Sequence, residues 1–303
     1  MSAQELESLM QMLRSGGPDL AAPPPQAREN FEAMLAGIPI AEDVTFEQAT
    51  IGGVPARWSV TPGAPSDRVL LYLHGGGYMI GSTNGYRPLF SALARAMGAR
   101  GLAIDYRLAP ENPFPAAVDD ALAAYRALLR QGIAPHGIAI AGDSAGGGLT
   151  LATLISARDA GLPMPAAAVL LSPWTDLACT GGSMSSKAAE DPSLNRDGLL
   201  GLAATYLNGA SPLAPLSSPF YADLTGLPPL LIQVGSAEVL LDDATRLAAK
   251  AGEADVAVQL EVWPRMPHVW HVFAFTLSEG RDAIASAGAF VAARFQKHQE
   301  TSA

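Results

Sequence analysis

The residues best suited to chemistry surround one serine, in the run Gly142-Asp143-Ser144-Ala145-Gly146. An apolar stretch at 138–141 precedes the run, and a stretch with helical spacing follows it. Gly-x-Ser-x-Gly between a strand and a helix is typical of a sharp turn that exposes a nucleophilic serine, because glycines lack the Cβ atoms that would collide there. By itself the pattern also fits an ordinary glycine-rich turn. Asp143 is expected to anchor the turn through its backbone.

A second glycine-rich segment, His74-Gly75-Gly76-Gly77, follows the apolar stretch 69–73. Consecutive glycines let backbone N–H groups point at a ligand, and two such donors with the N–H of Ala145 would form an oxyanion hole. A plain turn or a phosphate-binding loop would also use glycines. A Walker-type loop, however, needs Lys-Ser or Lys-Thr where Tyr78 and Met79 stand. The segment therefore indicates an oxyanion hole, with His74 shaping the loop.

The general base must follow the serine if the chain order is serine, acid and then histidine. The chain contains five histidines, which are His74, His136, His268, His271 and His298. His298 lies in a polar tail and His136 precedes the serine. The proline-braced loop around His268 suits a residue that reaches over the edge of a sheet. His268 is the predicted base, and His271, expected at the start of the last helix, is the alternative.

The acid that orients the histidine is expected after the strand-like stretch 229–234, where Glu238, Asp242 and Asp243 follow. Asp242 and Asp243 open a predicted helix, where acidic residues cap free N–H groups and favour the helix dipole. Glu238 has no such role, so it is the predicted acid. Asp176, which follows the preceding strand, is its competitor.

The elements that would position these residues alternate along the chain. Two strand-like stretches between 43 and 60 are joined by Gly52-Gly53, a hairpin signal. Further strands are expected near 69–73, 101–105, 137–141, 166–172, 229–234 and 257–263. Helices are expected near 87–97, 115–130, 145–160, 240–252 and 279–296. The alternation predicts an α/β fold with a mostly parallel eight-stranded sheet, helices on both faces and an antiparallel hairpin at its start.

Two segments interrupt this alternation and are expected to form a helical cap. The first has an apolar stripe on a helix at 4–14, ended by Gly16-Gly17-Pro18, and a second piece with Phe31, Met34 and Leu35 after a stiff Pro23-Pro24-Pro25 link. The second is the long connection after 166–172, with a helix at 197–207. The predicted organisation is cap helices at 1–42, a cap insertion at 176–215 and a catalytic domain at 43–175 and 216–303. Helices that simply pack on the core are the alternative for the first segment.

Composition narrows the class of protein. The 303 residues are 49% hydrophobic and 16% charged, as in a compact enzyme. A net charge of −10 argues against binding to nucleic acid or anionic membranes. The single cysteine, Cys179, permits no intramolecular disulfide. The sequence shows no signal peptide and no apolar run of membrane-spanning length, so a cytoplasmic location is expected.

Four motifs in order resemble those of the bacterial hormone-sensitive-lipase-like (family IV) carboxylesterases of the α/β-hydrolase fold. They are His74-Gly75-Gly76-Gly77, Tyr106-Arg107-Leu108-Ala109-Pro110-Glu111, Gly142-Asp143-Ser144-Ala145-Gly146-Gly147 and Asp191-Pro192-Ser193. The resemblance, which extends over residues 30–295, implies Ser144 as nucleophile and His268 as base. It implies an oxyanion hole formed by Gly76, Gly77 and Ala145. Glu238 aligns with a position that is usually aspartate, although the longer carboxylate can still accept a hydrogen bond from the imidazole.

The resemblance implies hydrolysis of short- to medium-chain acyl esters through an acyl-enzyme, with a Ser-Glu-His triad and without a metal or organic cofactor. The expected partner is a small-molecule ester, and a homodimer is expected through the edge strand near 257–263. An amidase or peptidase would share the triad, and a lipase would act at a lipid surface. A non-catalytic receptor related to this family would lack triad residues. These three remain the alternatives.

Overall fold

The structure is a computed structural model that describes residues 3–16 and 22–300, with side chains described over 4–16 and 22–295. The described residues form one eight-stranded sheet. Its strands are β1 (Thr45–Ile51), β2 (Val54–Val60), β3 (Val69–Leu73), β4 (Arg100–Ile104), β5 (Ile138–Asp143), β6 (Ala167–Leu171), β7 (Leu230–Gly235) and β8 (Val258–Trp263).

The strand order in space is β1-β2-β4-β3-β5-β6-β7-β8. The hairpin β1–β2 is antiparallel and joins β4 antiparallel, whereas β3 to β8 run parallel. The prediction of a mostly parallel sheet that starts with a hairpin is therefore confirmed. The carboxyl ends of β3, β5, β6 and β7 lie at one edge, so the loops that follow them meet there.

The helices of the described residues surround this sheet. They are α1 (Ala3–Gly16), α2 (Pro24–Ala36), α3 (Arg87–Met97), α4 (Ala116–Arg130), α5 (Ala145–Asp159), α6 (Ser183–Ser186), α7 (Arg196–Leu207), α8 (Leu241–Glu253) and α9 (Ser278–Glu300). The short helix α6 was not expected from the sequence. None of the described helices combines the length and apolar character needed to cross a membrane.

The central strands are buried on both sides, because side chains alternate between the two faces of a strand. In β3, Val69, Leu71 and Leu73 pack into one core with residues of α4, α5 and α8. Leu70 and Tyr72 point to the other core, which α3 and α9 cover. The near-continuous apolar stretches of the sequence thus produce a rigid sheet with a helical layer on each face.

The N-terminal helices are attached to the body of the protein by specific contacts. Leu6 and Leu9 of α1 pack against Met266 and Trp270. On α2, the Arg28 guanidinium donates to the Met79 carbonyl at 2.9 Å. The expected Pro23-Pro24-Pro25 link is wrong in part, because Pro24 and Pro25 form the first turn of α2; proline fits there since it lacks the N–H that would go unpaired. Gly17 and Pro18 of the expected helix end lie outside the described residues.

The helix α7 covers the loop after β3. The ring of Tyr206 stacks on Tyr78 with centroids 3.8 Å apart. Leu202 lies against Gly77, where an added Cβ would be 2.8 Å from the leucine Cδ1. The long connection after β6 therefore brings apolar side chains over the edge of the sheet where the glycine-rich loop lies.

Candidate active site

Ser144 occupies the turn between β5 and α5. Its φ of 53° lies in the left-handed region that side chains rarely adopt. The flanking glycines are required by close backbone approaches: a Cβ on Gly142 would lie 2.2 Å from the Gly146 carbonyl, and one on Gly146 would lie 2.0 Å from the Leu73 carbonyl. The Gly-x-Ser-x-Gly spacing is thus explained by sterics. The strained turn places Ser144 at the start of a helix, which favours negative charge beside it.

Ser144 lines a cavity of about 140 Å³ together with Gly76, Gly77 and His268. Most of its other walls are apolar side chains. Leu13 and Phe31 come from α1 and α2, whereas Leu194, Leu199 and Leu202 come from the connection after β6. The structure therefore brings the predicted nucleophile, the predicted base and two predicted oxyanion glycines to one largely apolar cavity.

His268 and Glu238 are directly bonded, with the Nδ1 and Oε2 atoms 2.8 Å apart. An ionised carboxylate only accepts, so Nδ1–H donates and Nε2 is left with a free lone pair. Burial lowers the pKa of His268, but the hydrogen bond and charge of Glu238 more than offset it, and the pKa lies above its ordinary value. The pair is therefore built to stabilise a charged imidazole.

Ser172, which sequence reasoning missed, holds this pair in place. Its hydroxyl donates to Glu238 Oε1 at 2.7 Å and accepts the Val269 N–H at 3.1 Å. The Gly235 N–H also donates to Oε1, at 2.6 Å. Ser172 and Val269 have φ values of 45° and 49°, so both backbone positions are strained. The available signal was its position directly after β6, at the edge where the acid was expected.

The other candidate acids are bonded elsewhere. Asp242 Oδ2 accepts the Ser183 N–H at 2.9 Å, and Asp243 Oδ1 accepts the N–H groups of Thr175 and Asp176 at 2.8 and 2.9 Å. Asp242 and Asp243 lie in the first turn of α8, as expected, but the expectation that they cap its N–H groups is wrong, because their carboxylates bind the preceding connection instead. Asp176 accepts from Thr180, Tyr221 and Arg246. Within the described residues no group of His, Cys, Asp or Glu could hold a metal ion.

The alternative base, His271, lies in a 3₁₀ turn before the last helix and is buried. Its Nε2–H donates to Gln233 Oε1 at 2.9 Å. Burial lowers its pKa to about 3, with the nearby His268 adding to the shift, so it stays neutral. His271 therefore points into the core, where its bond to Gln233 stabilises the loop, and it does not line the cavity.

The loop after β3 presents its glycines to Ser144. Gly76 and Gly77 have φ values of 108° and 61°. In the part of the chain that the structure describes, their N–H groups have no hydrogen-bond acceptor. Ala145, the third expected donor, is buried at the first position of α5. These N–H groups are therefore free to bind an anion beside the serine.

Asp143 fixes this loop through its side chain, so the expectation of an anchor through the backbone is corrected. Its carboxylate accepts the Gly75 N–H at 2.9 Å and the hydroxyls of Tyr72 and Tyr86 at 2.5 and 3.0 Å. Burial raises its pKa, against the three hydrogen bonds, which lower it. The residue beside the serine thereby joins the serine turn to the glycine loop.

Comparison with known proteins identifies the family of this chain. The family described as alpha/beta hydrolase fold matches residues 70–272. An acetyl-hydrolase of Streptomyces hygroscopicus is 54% identical over 80% of this chain and 81% of its own, and the carboxylesterase NlhH of Mycobacterium tuberculosis is 32% identical over 85% of each. The crystal structure of an esterase from the bacterial hormone-sensitive lipase family superposes with a TM-score of 0.93 at 49% identity, covering 97% of this chain and 99% of that one. The chain therefore belongs to the α/β-hydrolase fold family and, within it, to the bacterial hormone-sensitive-lipase-like esterases whose motifs it carries.

Proposed function

We propose that this carboxylic ester hydrolase cleaves short- to medium-chain acyl esters through an acyl-enzyme, with Ser144 as nucleophile, His268 as base and Glu238 as the orienting acid. The observation that carries the proposal is the 2.8 Å bond between His268 and Glu238 at a cavity that Ser144 also lines. A serine, an imidazole and a carboxylate in this order form the unit that activates a hydroxyl near neutral pH.

In the first half of the reaction, Nε2 of His268 takes the proton of Ser144 as its Oγ attacks the ester carbonyl. Glu238 keeps the imidazole in the tautomer that leaves Nε2 free and stabilises the cation that forms. His268 then passes the proton to the leaving alcohol, so a carbon–oxygen bond breaks as the acyl-enzyme forms. In the second half, His268 activates a water that releases the acid and restores Ser144.

The N–H groups of Gly76, Gly77 and Ala145 would bind the negative oxygen of the tetrahedral intermediate. They are backbone donors with fixed directions, so no reorganisation is needed as the charge develops. One such donor is worth about 3 kcal/mol of transition-state stabilisation. The hydrogen bond from the Gly75 N–H to Asp143 fixes the position of the glycine loop relative to the serine turn.

The substrate preference follows from the walls of the cavity. Its volume is about 140 Å³ and its side chains are mainly apolar, which suits a short acyl chain. We assign 1–42 and 176–215 as the cap, because Leu13, Phe31, Leu194 and Leu202 supply walls to the cavity. The remaining segments, 43–175 and 216–303, would form the catalytic domain. A cytoplasmic location stays a prediction from the sequence.

The test is hydrolysis of p-nitrophenyl butyrate by the wild type and three variants. Ser144→Ala should lower kcat by roughly 10⁶-fold, and Glu238→Ala by roughly 10⁴-fold. Asp242→Ala, a nearby carboxylate that does not contact His268, should keep most of the activity. An active Glu238→Ala variant would reject Glu238 as the acid, and a wild type inert on every acyl length would reject ester hydrolysis altogether.

A further inference from the structure

Asp191 opens the Asp-Pro-Ser motif of the connection after β6, and the proposed reaction gives it no part. Its Oδ1 accepts the N–H groups of Ser193 and Leu194, each at 2.9 Å. These bonds close a turn of the kind that aspartate favours. Ser193 and Leu194 both line the cavity, so one oxygen of Asp191 shapes a wall that substrate would touch.

The other oxygen of Asp191 crosses to the loop of the catalytic acid. Oδ2 accepts the N–H of Val239 at 2.8 Å. Val239 directly follows Glu238, and its own side chain is fully buried. A single carboxylate thus connects a wall of the cavity with the backbone of the residue that orients His268, across 48 positions of sequence.

Asp191 also belongs to the small set of charged groups around His268. Glu238 bonds the imidazole, while the charges of Asp191 and Asp143 act on it from the preceding connection and from the serine turn. His271, the remaining titratable neighbour, is neutral because its pKa is lowered to about 3. All three carboxylates favour the protonated imidazole.

We propose that Asp191 is a positioning residue that couples the substrate-contacting turn at 193–194 to the loop that holds Glu238 against His268. The inference rests on the proposed function, since it assigns Asp191 to the environment of that triad. A substrate that presses on the turn would thereby also set the orientation of the acid. Displacing a catalytic group by about 1 Å is enough to lower a rate by roughly a hundredfold.

The first test is Asp191→Asn, assayed on p-nitrophenyl butyrate. An amide has one acceptor oxygen, so it cannot serve the turn and Val239 together, and it removes the charge. The kcat should fall about tenfold or more, with a smaller change in KM, because the lost contact orients the acid rather than binding the ester. The acid limb of the kcat/KM profile should move to lower pH, since a negative charge that favours the imidazolium is gone.

Two further variants separate this role from a general loss of structure. Asp242→Asn removes another carboxylate that accepts an N–H from the same connection, through Ser183, and it should leave the acid limb in place. Asp191→Ser can still close the turn with its hydroxyl but cannot reach Val239, so it should reproduce the pH shift even if Asp191→Asn does not fold.

The outcomes are distinguishable from failure of the proposed function. An active wild type with an unchanged kcat and an unchanged acid limb in both Asp191 variants would overturn the inference and leave the esterase assignment intact. A shift of equal size in Asp242→Asn would also overturn it, because the effect would then follow from loosening the connection. A wild type without esterase activity would reject the triad and the inference with it.

Discussion

The imidazole of His268 is subject to two opposing influences, burial and the adjacent carboxylates. Burial favours the neutral form, but Glu238, Asp191 and Asp143 outweigh it and raise the pKa above the ordinary 6.5. A general base works only while neutral, so activity is present above the raised pKa and is lost as the pH falls through it. We expect kcat/KM for a butyrate ester to decline with a midpoint above 6.5. A profile that stays flat down through that region would contradict His268 as the base.

Ser172 offers a second prediction at the scale of one side chain. Ser172→Ala removes a hydrogen bond to the charged Glu238, and such bonds are worth about 1.5–3 kcal/mol. The kcat/KM should fall about tenfold to a hundredfold. Without the bond from Ser172, the carboxylate of Glu238 would stabilise the protonated His268 more strongly. The pKa of His268 should therefore rise, and the acid limb should move to higher pH.

The control for Ser172→Ala is Ser156→Ala. The Ser156 hydroxyl is buried and has no hydrogen-bond partner among the described residues, so its removal should leave the activity and the acid limb unchanged. Thermal unfolding of both variants should accompany the kinetics. A loss of rate in Ser172→Ala without any shift in the pH profile would show that Ser172 only stabilises the fold.

The positions of the candidate site residues could be predicted from sequence where chain order constrains them. Ser144 is marked by glycines on both sides, and His268 and Glu238 follow at the ends of two later strands. Ser172 and the bridging role of Asp191 depend on contacts between loops 66 and 48 positions apart, which no local pattern encodes. The contacts of Asp242 and Asp243 with the preceding connection were missed for the same reason.

Among the elements, α7 is one that we expect to influence substrate choice. Leu202 packs against Gly77 and lines the cavity, so the helix limits the space beside the glycine-rich loop. Leu202→Ala should open room for a longer acyl chain. We expect the ratio of kcat/KM for octanoate over butyrate to rise about tenfold, since one methylene in an apolar pocket is worth about 1–3 kcal/mol.

The matched control is Leu200→Ala on the same helix. Leu200 packs against the core and does not line the cavity, so the acyl-chain preference should not change. Equal changes of acyl-chain preference in both variants would contradict this role of Leu202. They would indicate that the cavity widens because α7 is loosened, and not because the Leu202 side chain is removed.

The elements of the catalytic body were predictable because their patterns are strong. Apolar stretches such as 69–73 must be buried on both faces, and α8 was expected within a residue of its observed limits, Leu241–Glu253. In the connection after β6, α7 was also expected within a residue of its observed limits, whereas α6 was missed because it has four residues and no period to detect. Proline is also ambiguous in a sequence, because it occurs both in rigid links and in the first turn of helices. The run of three prolines suggested a rigid link, but Pro24 begins α2.

At the scale of the whole molecule, β8 is an edge strand of the sheet, and such a strand can pair with a second copy of the chain. In the described chain β8 pairs only with β7, and an unpaired edge can bind the same edge of a second copy around a two-fold axis. Leu260 and Val262 are 36% and 42% exposed on this strand, which is unusual for a solvent-facing edge. We therefore propose a homodimer formed through β8.

Light scattering during size exclusion should give twice the chain mass of 31.4 kDa at micromolar concentration. Replacing both Leu260 and Val262 with lysine should yield monomers, because like charges on facing edge strands repel and lysine is a common means of blocking edge pairing.

The control is Leu213→Lys, at a side chain that is 53% exposed in the connection after β6, and this variant should remain dimeric. The double variant should keep its activity on p-nitrophenyl butyrate, since β8 supplies no side chain to the cavity that Ser144 lines. A wild type of monomeric mass would contradict the dimer, and a dimer that survives both lysines would place the interface on another surface.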